Sequence, residues 1–226
     1  MGALALLPVF STAVGLLLAT RELELHRRVV ALALALPLPT ALLLFGESTQ
    51  PQLLLAQAIG ATVLALAIAS DLRERMVDLR PLIGGLLLII AIGGIGDQRV
   101  DLDGLLRVAI SALLPASIAA ALWLFGRLYS RLRKIGIDPE TGERAEVYGS
   151  GDIPAWALLG ATLGSPLLAL TAFFAGTIVS ALIAVLMLLR SGVVQISDAD
   201  GTAPDAAFFP LLPSIVIGGA IALVLQ

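Results

Sequence analysis

Two aspartates stand apart from the other acidic residues of this sequence. Asp71 follows an apolar run that begins near residue 52, and Asp152 follows Gly149-Ser150-Gly151 and leads into a second apolar run. An ionisable side chain within or beside a membrane-length apolar run is costly, and it is a candidate functional residue by default. The two carboxylates lie 81 residues apart (152 minus 71), so only the fold can bring them together.

A pair of close carboxylates can hydrolyse a peptide bond by acid–base chemistry. The two groups share one proton, because like charges oppose the ionisation of both. The ionised member can take a proton from water, while the protonated member donates to the peptide carbonyl or the leaving amine. This chemistry needs no metal or cofactor, and it suits a sequence with no Cys and one His, His26. A thiolate or His-based zinc site is therefore not expected.

The elements that must position this pair are predicted to be membrane helices. Hydrophobic residues make up 58% of the 226 residues and charged residues 14%, against roughly 25% charged in a soluble domain. A helix that crosses a bilayer needs about 20 mainly apolar residues. We therefore predict an all-α polytopic membrane protein with about eight transmembrane helices in a single integral membrane domain, residues 1–226. The eight apolar runs are 2–20, 29–46, 52–70, 81–96, 104–126, 145–164, 167–189 and 207–225.

The basic residues predict how these helices are oriented. If the breaks between runs alternate sides, 12 of the 14 basic residues fall on one side, which the positive-inside rule assigns to the cytoplasm. Both termini are then outside the cell membrane, residues 127–148 form a basic cytoplasmic loop, and both aspartates reach the cytoplasmic face. The net charge of −3 does not suggest a nucleic-acid partner. The 12 residues are Arg21, Arg27, Arg28, Arg73, Arg75, Arg80, Arg127, Arg131, Arg133, Lys134, Arg144 and Arg190.

The glycines before Asp152 predict an unwound segment within the helix bundle. Asp152 precedes the turn at Gly164 by 12 residues, roughly 18 Å of helix at about 1.5 Å per residue. The hydrocarbon core is about 30 Å thick, so Asp152 lies below the cytoplasmic boundary if the turn is at the outer surface. Gly149 and Gly151 allow the backbone to unwind, which a membrane tolerates where the backbone lines a cavity. We therefore predict that both glycines shape the site.

At these residues the sequence resembles the type IV prepilin peptidase and archaeal preflagellin peptidase family of GxGD membrane aspartyl proteases. The family's first motif, an Asp that ends a span before a basic turn, is matched by Asp71-Leu72-Arg73, and GxGD is matched by Gly149 to Asp152. Phe208-Phe209-Pro210 is similar to a third motif that opens the last span. Asp78 departs from the pattern, since a Pro is expected there, and the linker between the motifs is long and basic. The resemblance covers roughly 52–226.

The resemblance implies a GxGD aspartyl protease-like bundle with Asp71 and Asp152 as its catalytic pair and Pro210 as a residue that shapes the site. It implies that the protein removes a short basic leader peptide from type IV prepilin-like or preflagellin-like precursors at the cytoplasmic membrane face. Members that also methylate the new N-terminus carry a Cys-containing zinc domain, so this Cys-free sequence implies cleavage without N-methylation. No residue is predicted to bind substrate, although the acidic residues of 198–205 could attract a basic leader.

Three other interpretations stay open on the sequence. A secondary transporter also uses intramembrane carboxylates and broken helices, although it predicts an internal repeat that is not visible here. A presenilin-like intramembrane protease is expected to have Tyr before its first Asp, where this sequence has Ser70. In a purely structural subunit, Asp71 would be a helix-end acid beside Arg73 and Asp152 an N-cap.

The predicted orientation can be measured by cysteine labelling, because the natural sequence has no Cys. Gly2→Cys and Asp138→Cys should be labelled by a membrane-impermeant reagent from opposite sides, the former from outside and the latter from the cytoplasm. Labelling of both variants from one side would contradict the orientation.

Overall fold

Helices form the whole of the regular structure in the described part of the chain. The structure is a computed structural model, and it describes residues 6–21, 25–45, 51–74, 78–94, 101–133, 151–190 and 212–226. Within these ranges there are nine helices and no strand. The helices are α1 (Leu7–Ala19), α2 (Leu25–Ala35), α3 (Pro37–Phe45), α4 (Pro51–Glu74), α5 (Leu79–Gly93), α6 (Leu102–Arg133), α7 (Asp152–Leu163), α8 (Pro166–Arg190) and α9 (Leu212–Val224).

Each of the eight predicted apolar runs contains helix, and the ninth helix arises from a bend within one run. α2 and α3 meet at Leu36, directly before Pro37, which has no N–H to donate. Helical hydrogen bonds continue across the bend, since the Leu36 N–H donates to the Leu32 carbonyl at 3.0 Å and the Thr40 N–H donates to the Leu36 carbonyl at 3.1 Å. The all-helical prediction is confirmed for the described residues.

Three segments are long and apolar enough to cross a membrane by themselves: Pro51–Asp71, Leu102–Tyr129 and Pro166–Leu186. Four further apolar helical segments are shorter, and α7 has 12 residues, about 18 Å. A crossing of the bilayer by all eight segments therefore stays a prediction. α6 differs from its predicted run, because it continues through Arg133 into the segment predicted as a loop from residue 127. Leu and Arg residues, which favour helix, dominate this extension.

α7 occupies the centre of the bundle. Its residues from Ala155 to Leu163 are all buried, and the helix packs against α4, α5, α6, α8 and α9. It ends at Gly164, whose φ of 65° is in the left-handed region that favours glycine. A helix surrounded in this way must be apolar on every face, which explains why its sequence shows no amphipathic pattern.

Glycines allow α7 to approach its neighbours closely. A Cβ placed on Gly160 would collide with the Ser111 carbonyl oxygen of α6 and lie 3.1 Å from Pro115. Membrane helices commonly meet at such small residues, because lipid competes with apolar side chains for helix surfaces and only close packing favours the helix pair. The α6–α7 contact therefore depends on the missing side chain at Gly160.

Replacement of Gly160 by Ala should destabilise the protein by about 1–3 kcal/mol, because the added methyl group meets backbone that cannot rotate away. The measurement is the free energy of unfolding, or the thermal midpoint, in detergent. Gly84→Ala on α5 is the matched control, since a Cβ there has no atom within 4 Å and Ala favours helix. Equal stability of the two variants would contradict the close α6–α7 contact.

Candidate active site

α4 and α7 are held in register by contacts at two levels. A Cβ placed on Gly60 of α4 would collide with the Thr162 side chain of α7. A Cβ placed on Gly85 of α5 would lie 3.1 Å from Val63 of α4 and 3.5 Å from Leu158 of α7. From the first contact to the second, the residue number rises by three on α4, from Gly60 to Val63, and falls by four on α7, from Thr162 to Leu158. The two helices are therefore antiparallel.

This register brings Asp71 and Asp152 to the same end of the α4–α7 pair. Asp71 lies 11 residues beyond Gly60 and Asp152 lies 10 residues before Thr162, which correspond to about 16 Å and about 15 Å of helix. Eleven residues complete about three turns, so Asp71 also lies on the face of α4 that carries Gly60. We call this end of the bundle, which contains Asp71 and Asp152, the aspartate end.

Asp152 is the first residue of α7, and it is buried, with 9% of its surface exposed. Gly151 occupies the N-cap position, where no side chain caps the helix, so the structure does not support the interpretation of Asp152 as an N-cap. The first N–H groups of a helix have no partner within the helix, and its N-terminus favours negative charge. This position stabilises a carboxylate in an otherwise apolar bundle.

Asp71 is half-buried and lies within α4, which continues for three more residues to Glu74. The residues that precede it on the same face, Leu64 and Ala67, are buried. Asp71 is therefore a helical residue at the edge of the apolar core, about one turn before the helix ends.

Other predicted residues fall into two groups. Gly149, Pro210 and the acidic segment 198–205 lie outside the described residues, so their predicted roles stay predictions. Asp78 is the N-cap of α5, and its carboxylate accepts a hydrogen bond from the Arg80 N–H at 3.0 Å. This exposed position gives Asp78 a structural role.

Trp156 does not have the exposed position that a Trp anchoring a helix at the membrane interface would have. It is 1% exposed and lies inside the bundle, with its ring centroid 4.7 Å from that of Phe173 on α8. Trp156 lies one turn after Asp152 on α7, so it forms part of the wall behind the carboxylate. Its burial was not predictable from an apolar run in which every face is hydrophobic.

The described residues include no group of three His, Cys, Asp or Glu side chains placed to hold a metal ion. The two acids at the aspartate end come from α4 and α7, and no third acid among the described residues joins them as a ligand cluster. The register instead places two carboxylates at one level of two packed helices.

Comparison with known proteins gives one family match. Residues 58–185 match the model of the type IV leader peptidase family, which is more than half of the chain and includes both Asp71 and Asp152. This match confirms the resemblance drawn from the sequence motifs. No curated protein and no solved structure gives a significant match.

The antiparallel register predicts that Ala67 of α4 and Ala155 of α7 are neighbours, because each lies seven residues from the Gly60–Thr162 contact. The double variant Ala67→Cys/Ala155→Cys should form a disulfide under mild oxidation, seen as a mobility shift that reductant reverses. Ala67→Cys/Ala161→Cys is the control, since residue 161 lies about 9 Å farther along α7 on another face. Cross-linking of the control pair alone would overturn the register.

Proposed function

The chain belongs to the type IV leader peptidase family, which gives it a leader-peptidase function, and from this premise we propose that it is a membrane aspartyl endopeptidase with Asp71 and Asp152 as the catalytic pair. One observation carries the proposal: contacts at Gly60 and Gly85 set a register in which both aspartates fall at the same end of α4 and α7. Both residues also lie within the segment that matches the family.

The surroundings of the two aspartates support different roles. Asp152 begins α7, where the helix N-terminus favours the ionised carboxylate, so we assign it the role of general base. It takes a proton from the attacking water as the water oxygen bonds to the scissile carbonyl carbon. Asp71, half-buried at the edge of the core, is the protonated partner that donates to the carbonyl oxygen. The proton from water then passes from Asp152 to the leaving amine as the C–N bond breaks, and Asp71 recovers its proton from the former carbonyl oxygen as the C=O bond re-forms.

The proposed substrate is a type IV prepilin-like or preflagellin-like precursor with a short basic leader. The positive-inside rule keeps such a leader in the cytoplasm, so the apolar helix that follows it would place the scissile bond at the membrane boundary. The aspartate end faces the cytoplasm if the predicted orientation holds, and the acids of 198–205 would then attract the leader. The absence of Cys from the sequence is the observation that favours cleavage without N-methylation.

Asp71→Asn and Asp152→Asn should each abolish cleavage of such a precursor, because each role requires a carboxyl group that can gain or lose a proton. The measurement is product formation by the purified full chain in detergent or lipid, alongside its thermal midpoint to show that each variant folds. Asp78→Asn is the matched control. Asp78 is an exposed helix cap, and Asn caps helices as well as Asp does, so that variant should keep wild-type activity. More than a few per cent of residual activity in either of the first two variants would remove that residue from the catalytic pair.

Cleavage by the wild-type protein should be unaffected by a metal chelator, because the proposed mechanism uses no metal ion. The product should carry an unmethylated N-terminus even when a methyl donor is supplied, which mass spectrometry of the product can establish. Loss of cleavage with chelator, restored by added zinc, would indicate a metalloprotease. Failure to cleave any precursor, together with solute uptake driven by an ion gradient, would favour the transporter instead.

A further inference from the structure

Several hydroxyl groups on the described helices bond to their own helix. The hydroxyls of Thr20, Ser111, Thr162, Thr171 and Thr177 each donate to the carbonyl four residues earlier, at 2.7–3.0 Å. The Ser180 hydroxyl of α8 does not, and its buried oxygen has no hydrogen-bond partner among the described residues. A buried hydroxyl without a partner is costly in an apolar environment. The missing hydrogen bond of the Ser180 hydroxyl therefore needs a structural explanation.

The contacts of Trp156 locate Ser180 along the bundle. The Trp156 ring packs against Phe173, and a Cβ placed on Gly176 would lie 2.7 Å from the same ring. Phe173, Gly176 and Ser180 lie on one face of α8, because residues three, four and seven apart share a helix face. A Cβ on Gly176 would also lie 2.8 Å from the Ser214 carbonyl oxygen of α9. Ser180 is therefore the next residue on a face that packs against both α7 and α9, one turn beyond the contact with Trp156.

Asp152 lies one helical turn from Trp156 on α7, just as Ser180 lies one turn from Gly176 on α8. It lies four residues before Trp156, which is about one turn. α7 and α8 are antiparallel neighbours joined by the short turn at Gly164-Ser165, so one turn back on α7 and one turn forward on α8 lead to the same level. Ser180 is thus at the aspartate end, level with Asp152.

The angular position of Asp152 around the axis of α7 also supports an interaction with Ser180. Relative to Thr162, which faces α4, Asp152 is rotated by about 80° and Trp156, which faces α8, by about 120°. Leu159, which contacts Gly219 of α9, is rotated by about 60° on the same scale. Asp152 therefore lies between the α9 and α8 sides of α7. Three of the other unpartnered buried groups are placed differently: Thr12 is on α1, Gln57 is on α4 before Gly60, and Ser214 of α9 is level with Gly176 rather than Ser180. Trp123 lies toward the aspartate end on α6, but it is rotated by about 80° from Pro115, which contacts α7.

We propose that Ser180 is a positioning residue for Asp152, with its hydroxyl donating a hydrogen bond to one water molecule that in turn donates to the Asp152 carboxylate. This inference rests on the proposed catalytic role of Asp152. The hydrogen bond would hold the carboxylate in the orientation from which it takes a proton from the attacking water, while Asp71 approaches from the α4 side. Ser180 does not touch the reacting atoms, so its loss would slow the chemical step without changing how the precursor binds.

The test compares Ser180→Ala, Ser180→Cys and Ser117→Ala in the purified full chain with a synthetic precursor that has a short basic leader. Ser180→Ala should lower kcat about tenfold with KM within about twofold of wild type, a loss of about 1.4 kcal/mol and the scale of one hydrogen bond. Ser180→Cys is close to Ser in size but has a weak S–H donor, so its kcat should lie between those of wild type and Ser180→Ala. Ser117→Ala is the control, because that exposed hydroxyl donates to its own helix at Leu114.

Unchanged kcat in Ser180→Ala would overturn this inference while leaving the proposed function intact. So would equal losses in Ser180→Ala and Ser180→Cys accompanied by a lower thermal midpoint, because they would reveal a packing role. A rise in KM with constant kcat would also overturn it, since that indicates a role in binding. Absence of cleavage by the wild-type protein would instead refute the proposed function, and this inference with it.

Discussion

In a bilayer, apolar side chains gain little by leaving lipid for another helix, so helix pairs depend on how closely their surfaces pack. α7 is strongly subject to this constraint, because five other helices pack against it and its residues from Ala155 to Leu163 are all buried. Its contacts occur where a side chain is missing, at Gly60 and Gly85 on its neighbours and at Gly160 on α7 itself. Contacts without room for a Cβ prevent one helix from sliding along another. The level of Asp152 relative to Asp71 therefore follows from these glycines.

The same packing explains how two acids can be accommodated in a bundle this apolar. Asp152 is buried, yet it begins a helix whose unpaired N–H groups favour its negative charge. Asp71 is half-buried one turn before the end of α4. The two carboxyl groups therefore have different electrostatic surroundings at one level of the bundle. Such a difference is what an acid–base pair needs, because one member must hold the proton that the other gives up.

Helices outside the family-matched segment 58–185 support the two that carry the aspartates. α1 packs along α4, where the Thr62 hydroxyl donates to the Ser11 hydroxyl at 3.0 Å and Gly15 faces Thr62. α9 packs along α8, and a Cβ on Gly218 would collide with the Ala172 carbonyl. Since α9 also contacts α7 through Gly219 and Leu159, the site depends on parts of the chain that flank the matched segment. Among the described residues, five buried side-chain atoms have no hydrogen-bond partner, and one of them is the Ser180 hydroxyl.

Apolar run length and the residues around two aspartates were sufficient to predict eight helical segments, the family and the candidate pair. These features depend on composition and local motifs, which a sequence displays directly. The sequence did not reveal that Trp156 is inside the bundle, that Gly151 rather than Asp152 occupies the N-cap position of α7, or that Ser180 lies level with Asp152. A membrane helix is apolar on the faces toward lipid and toward protein alike, so its hydrophobic pattern does not distinguish the two. Only the tertiary structure decides which residues meet, because glycines and side chains on different helices set the register jointly.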